Sequence, residues 1–309
     1  HNSEDGAIMI EGAEPLLRAS SATDVCLMCH SGQHGVFGHG PLNPPPEKGA
    51  GNFVFLLEEN INDGADGLTN PIGGEAAGHS IVSADYGLGP DNRWSYSPGG
   101  TYPTSQLGCT SCHDPHGSSG FRMLHSTGPI QNGLFDFIYP APTASGLDVS
   151  DPQAVEANES HTAYIQGMTA WCANCHGFYH DEGTGNTFEH ASDEVLGNNH
   201  AGRYNRYNGA SNPNGGFAID SYLPAVPFED DKAATTSTAG PVTGARIMCL
   251  TCHRAHASSS PAAGRWDFNV QLLEDDGLVS GSWSIPNPYG GDMAQGQLCA
   301  KCHAGPMFD

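Results

Sequence analysis

Ten cysteines fall in five pairs, with two residues between the members of each pair. A histidine follows the second cysteine every time: Cys26-Leu27-Met28-Cys29-His30, Cys109-Thr110-Ser111-Cys112-His113, Cys172-Ala173-Asn174-Cys175-His176, Cys249-Leu250-Thr251-Cys252-His253 and Cys299-Ala300-Lys301-Cys302-His303. These motifs, numbered 1 to 5 below, use all 10 cysteines of the chain. C-x-x-C-H is the attachment signature of haem c. Cysteines three positions apart on a helical turn face the same way. Both sulfurs can then form thioethers with the vinyl groups of one porphyrin, and the next residue brings its imidazole under the iron. Disulfides, zinc ribbons or a dithiol redox site in a βαβ setting would also use paired cysteines. None of them explains a histidine after the second cysteine in five cases of five. The spacing therefore predicts five covalent haem c groups. Haem c is attached outside the cytoplasm, so an exported protein is expected.

The far side of each iron takes His, Met or nothing, a choice that moves the potential over about 0.8 V. The chain has 16 histidines, and the five proximal ones, His30, His113, His176, His253 and His303, leave a surplus for the five vacancies. Bis-histidine ligation is expected, which gives lower potentials than Met/His. Met28 and Met248, inside or beside motifs, are read as packing residues. The distal candidates are His79, His116, His161, His180, His190 and His256. His116 and His256 stand three residues after a proximal histidine, and His180 stands four after His176. A histidine that close cannot reach its own iron's other face, but it can serve a neighbouring haem, which would place two haems close together. His1, His34, His39, His125 and His200 are read as loop histidines within the chain's own set.

Short helices are expected to carry the motifs. Thr23 or Asp24 is placed to cap one entering Cys26, and Ser160 one running from His161 to His176. Phe53 to Leu57 and Ile81 to Ser83 are strand candidates. Between motifs lie loop signals at 41–51, 208–216 and 235–240. Mostly irregular coil with short α-helices and few short strands is the expected fold class. The whole chain, 1–309, is read as one haem-organised unit, with no strict repeat of fixed length.

Composition sharpens this. Leu, Ile, Val and Phe make up 53 of 309 residues, about 17%, and the formal net charge is -23. Such a chain normally reads as disordered, unless buried macrocycles supply the apolar bodies it does not encode. Against 34 acidic residues stand 11 basic ones, which excludes nucleic acid and anionic lipid as partners. The same balance, with no C-x-x-C-K motif, disfavours a multihaem reductase that must draw in an anion; an enzyme is not expected. No stretch reaches the roughly 18 apolar residues of a membrane helix. The chain starts at His1, so a leader is expected to have been removed before it. Asn60 to Gly67 carries oxygen ligands of the kind calcium takes but lacks the bidentate Glu and spacing of an EF-hand. A solvated turn is the simpler reading, with calcium kept as a candidate cofactor.

The stretches CTSCHDPHG, HTAYIQGMTAWCANCHGFYH, FEHASDEV and MCLTCHRAHA resemble the multihaem cytochromes with doubled C-x-x-C-H motifs, a group that includes subunits of extracellular cytochrome nanowires. The resemblance spans residues 24 to 303 in scattered blocks. The last motif departs from it in lacking a trailing histidine, and Ala257 stands where a glycine is expected. It implies little regular structure, bis-histidine haems and a continuous haem stack of alternating parallel and T-shaped pairs. The expected function is electron transfer, as the subunit of an extracellular or cell-surface conductive filament built by head-to-tail self-association, with other redox proteins or extracellular acceptors as partners. A monomeric periplasmic or surface carrier is the alternative. In a filament, His1 and His34 or His39 would be the donors to an iron of the next subunit.

Overall fold

A computed structural model describes residues 3–4, 7–8, 19–32, 35–38, 49–60, 74–116, 118–147, 156–180, 192–209, 212–277, 283–290 and 295–303. Most of the backbone is irregular. The α-helices among the described residues are α1 (Ala22–His30), α2 (Gly74–Ala77), α3 (Cys109–Cys112), α4 (Met168–His180), α5 (Asn198–Arg206) and α6 (Cys249–Cys252). The strands form three antiparallel pairs: β1 (Ser3–Glu4) with β2 (Ala7–Ile8), β3 (Gly128–Ile130) with β4 (Phe135–Phe137), and β5 (Thr143–Ser145) with β6 (Ala163–Gln166). Every motif sits on a helical turn, the fifth on the 3-10 turn Leu298–Lys301.

Four local expectations are corrected. The cap of α1 is Ser21: its hydroxyl accepts from the Asp24 N–H at 3.1 Å and donates to the Asp24 carboxylate at 2.7 Å. Thr23 and Asp24 lie inside the first turn. No helix runs from His161; residues 163–166 are strand β6, and α4 starts at Met168. Tyr164 and Ile165 favour the pleated surface. Gly167, at φ 88°, then makes the turn into α4 in a conformation that other residues rarely adopt. Phe53–Asn60 is a 3-10 turn rather than a strand. The Asn52 side chain accepts from the Val54 N–H at 2.9 Å, a local bond that starts a turn in place of a ladder. At 81–83, only Ser83 makes a bridge, to Leu88, before another 3-10 turn begins at Ala84.

Among the described residues the apolar interior is divided among five clusters. Motif cysteines border four of them: Cys252, Cys299 and Cys302 at the largest, then Cys109, Cys172 and Cys175 at one each. Hydrophobic packing therefore converges on the sulfurs, as it must where a covalently held group completes the interior.

Candidate haem sites

Motifs 1 and 2 are built against each other, and motifs 3 and 4 repeat the construction. The sulfurs of Cys26 and Cys109 meet, as do those of Cys172 and Cys249. Thr23, three residues before Cys26, accepts from the Cys109 N–H at 3.3 Å; Thr169, three before Cys172, accepts from the Cys249 N–H at 3.3 Å. The second helix of each pair is capped alike: the Gly108 N–H donates to Ser111 Oγ at 2.9 Å, and the Met248 N–H to Thr251 Oγ1 at 3.1 Å. All ten cysteines are free of disulfides.

Three proximal imidazoles, those of His113, His176 and His253, are oriented through Nδ1. His113 Nδ1 donates to the Arg122 carbonyl at 2.9 Å and His253 Nδ1 to the Ala262 carbonyl at 2.8 Å. Both carbonyls belong to non-glycine residues at positive φ, 52° and 57°. Such positions cost about 1 kcal/mol or more and persist where the surroundings impose them. His176 Nδ1 donates to the Pro98 carbonyl at 2.7 Å, from a kink in α4 at φ -122°, ψ 40°. In each case Nε2 remains for a metal, the arrangement in which a second-shell acceptor fixes tautomer and ring direction.

His79 follows the same rule without a motif: its Nδ1 donates to the Ala255 carbonyl at 2.6 Å, leaving Nε2. His256 stacks on Phe53 at 4.4 Å, and its buried Nδ1 has no hydrogen-bond partner among the described residues. Burial pushes the pKa of His79, His113 and His253 down, that of His176 to about 4 and that of His256 to about 3. All five are neutral at neutral pH, the form that ligates iron. The rings gather in pairs: His79 lies 6.0 Å from His176, and His256 6.5 Å from His113.

The other histidines divide. His161 stacks on Tyr222 at 3.7 Å, and its two ring nitrogens face the Thr162 and Ser237 carbonyls at 3.0 and 2.9 Å, so neither is directed to an open space. His116 is exposed beside Asp114. His180 closes α4. His190, and with it His1, His34 and His39, lies outside the described residues, as does the calcium candidate after Asn60. His125 Nε2 is directed at the Thr110 carbonyl at 3.0 Å. His200, on α5, was not singled out by spacing, yet its ring lies 5.6 Å from that of His303, a third pairing of a proximal and a non-motif histidine. No sequence interval relates the two; only the packing of α5 against the C-terminal turn brings them together.

Paired sulfurs facing apolar clusters, beside neutral imidazoles with Nδ1 tied and Nε2 available, fit covalent haem and define a multihaem c-type cytochrome. Comparison with known proteins agrees. The family described as the doubled CXXCH motif matches residues 103–130, around motif 2. C-type cytochrome OmcS of Geobacter sulfurreducens is 30% identical over 398 aligned residues, covering 98% of this chain and 90% of the relative. Among solved structures, the outer membrane cytochrome S filament from the same organism superimposes with a TM-score of 0.69 at 26% identity, covering 88% of this chain and 83% of that one. A cryo-electron microscopy structure of OmcS nanowires gives 0.76 at 24% identity, over 98% and 96%. The chain belongs to the OmcS family of multihaem c-type cytochromes; it carries covalent c-type haems and transfers electrons.

Proposed function

We propose that this chain is a five-haem, single-unit subunit of an extracellular filament that conducts electrons along its length. The observation that carries the reading is the pairwise contact of attachment sites, Cys26 with Cys109 and Cys172 with Cys249, which gathers haems in couples rather than isolating them. Haem, when bound, supplies a one-electron Fe(III)/Fe(II) couple at each motif. The chain's own residues do the rest. Backbone carbonyls hold the Nδ1–H of His113, His176 and His253, burial keeps those three imidazoles uncharged, and the threonines Thr23 and Thr169 align one motif against the next.

His79 and His256 are the distal ligands best supported by their surroundings, and His200 joins them through its proximity to His303. His116, His180 and His190 are the candidates for the two remaining irons, whereas His161 is a packing residue in this reading. Filament formation is supported by the relationship to OmcS, whose solved structures are filaments, and by apolar surface left exposed at Ile138, Phe217 and Ile219. Head-to-tail contact that does not close gives an open polymer.

The test is intact mass and negative-stain microscopy of the native protein. Expected are a mass gain of five haems and filaments. A monodisperse monomer at high concentration, six-coordinate at all five irons from its own chain, would leave a soluble carrier in place of the filament.

A further inference from the structure

Motif 2 and motif 4 occupy equivalent places in two repeated modules, motifs 1–2 and motifs 3–4, so residues at equal distance from them are directly comparable. Twelve residues after the proximal histidine stand His125 in the first module and Arg265 in the second. Their backbones do the same thing: the His125 N–H donates to the Cys112 carbonyl at 3.0 Å, and the Arg265 N–H to the Cys252 carbonyl at 2.7 Å. Their side chains do too. His125 Nε2 faces the carbonyl of Thr110, and Arg265 Nε donates at 2.6 Å to the carbonyl of Leu250, the matching motif residue. One position of the repeat thus holds an imidazole in one copy and a guanidinium in the other.

The difference is one of charge. Arg265 is 2% exposed. Its other nitrogens donate to the Pro224 and Gly49 carbonyls, each at 3.2 Å. Among the described residues no carboxylate reaches it at ion-pair distance. Glu156 is the acidic group whose field reaches it, and Arg254 adds a second guanidinium on the same Gly49 carbonyl at 3.3 Å. The Arg265 charge is felt at both Cys252 and the His253 ring. Arginine stays protonated in proteins, whereas an imidazole becomes fully charged only in acid. A full cation is therefore held against motif 4, where motif 2 has none at the corresponding place.

We propose that Arg265 is a potential-setting residue that raises the reduction potential of the motif 4 haem above that of the motif 2 haem. A fixed positive charge favours the iron state that has gained an electron. The two modules, alike in their hydrogen bonds, would then differ in electron affinity, giving direction to electron flow within one subunit. The inference rests on haem loading of both motifs, as proposed above. A buried unit charge about 10 Å away, at an effective dielectric constant of about 20, changes a one-electron equilibrium roughly tenfold, about 59 mV for a one-electron couple.

The experiment is spectroelectrochemical titration of the full holoprotein at pH 8, after intact mass has confirmed equal haem content in every variant. Arg265→Gln is expected to move one fifth of the haem absorbance change to lower potential by about that amount. Arg265→Lys, which keeps the charge, should restore it. His125→Arg is expected to move a different fifth upward. An Arg265→Gln titration that superimposes on wild type overturns the proposal. If that variant does not accumulate, His125→Arg decides, and an unchanged titration overturns the proposal equally. A wild-type mass short of five haems would instead indict the haem assignment and not the role of the charge.

Discussion

His79, half-buried, and His161, buried, are both non-motif histidines, and their ring nitrogens assign them opposite roles. His79→Ala removes an imidazole whose Nδ1 is tied to the Ala255 carbonyl and whose Nε2 is available for a metal. One haem should lose its sixth ligand and, with five haems loaded as proposed, about one fifth of the ferric absorbance should turn high-spin. His161→Phe keeps a ring to stack on Tyr222 but removes both carbonyl contacts, at 3.0 and 2.9 Å. A neutral imidazole has one N–H, so one donated hydrogen bond is lost and a buried carbonyl is left unsatisfied, at a cost of about 1–3 kcal/mol. That corresponds to a melting temperature lower by several degrees. Ferric electron paramagnetic resonance reports the spin state, and Soret-monitored melts report stability. If His161→Phe generates a high-spin haem, or His79→Ala leaves every haem low-spin, hydrogen-bond accounting is not a guide to ligation in this fold.

Acid should unfold the protein through its buried imidazoles. Burial pushes the folded-state pKa of His176 to about 4 and that of His256 to about 3, below the ordinary 6.5. The unfolded state therefore binds more protons between those values; stability is full above 6.5 and falls as pH drops toward 3. Each residue contributes about 1.4 kcal/mol per pH unit inside its window, and a stability that stays level from pH 7 to pH 4 would contradict this. Thr23→Val and Thr169→Val each remove the acceptor for a cysteine N–H of the partner motif and should each cost about 1 kcal/mol. Because they lie in separate modules, thermal melts of the double variant should show the two losses adding, and strong coupling between them would contradict the modular reading.

What could be read from the chain alone was the chemistry tied to covalent spacing. Two thioethers and a proximal imidazole demand a fixed pentapeptide, so the motifs stand out whatever the surrounding fold. The duplication of motifs 1–2 in motifs 3–4 was also present, though in residues too common to notice singly. Thr23 and Thr169 precede Cys26 and Cys172 by three positions, and hydroxyls recur at Ser111 and Thr251. What was hidden depends on tertiary packing. The pairing of His200 with His303 is set by where α5 docks, and the two contacts that occupy His161 come in part from the distant Ser237 carbonyl. Local competition explains the misread elements: Asn52 turns an apolar run into a 3-10 turn, and Gly167 divides one expected helix into β6 and α4.

The scarcity of regular structure is itself part of how the sites are made. In a helix or sheet the backbone carbonyls are taken up by N–H groups of the same element. Here the carbonyls of Pro98, Arg122, Ala255 and Ala262 lie outside the α-helices and β-strands and accept the Nδ1–H of His176, His113, His79 and His253. Arg122 and Ala262 hold left-handed backbone to present theirs, and Pro98 has no N–H to commit to a ladder. A chain with a richer set of strands would bury more backbone in pairing and leave fewer acceptors to aim imidazoles. The low share of large apolar residues fits the same economy. The haems supply apolar bulk, the irregular backbone supplies acceptors, and the polypeptide needs only short helical turns to set each pair of sulfurs on one face. On this view, extending β5 and β6 or lengthening α3 and α6 would gain local hydrogen bonds while taking from the sites the backbone groups that orient their ligands.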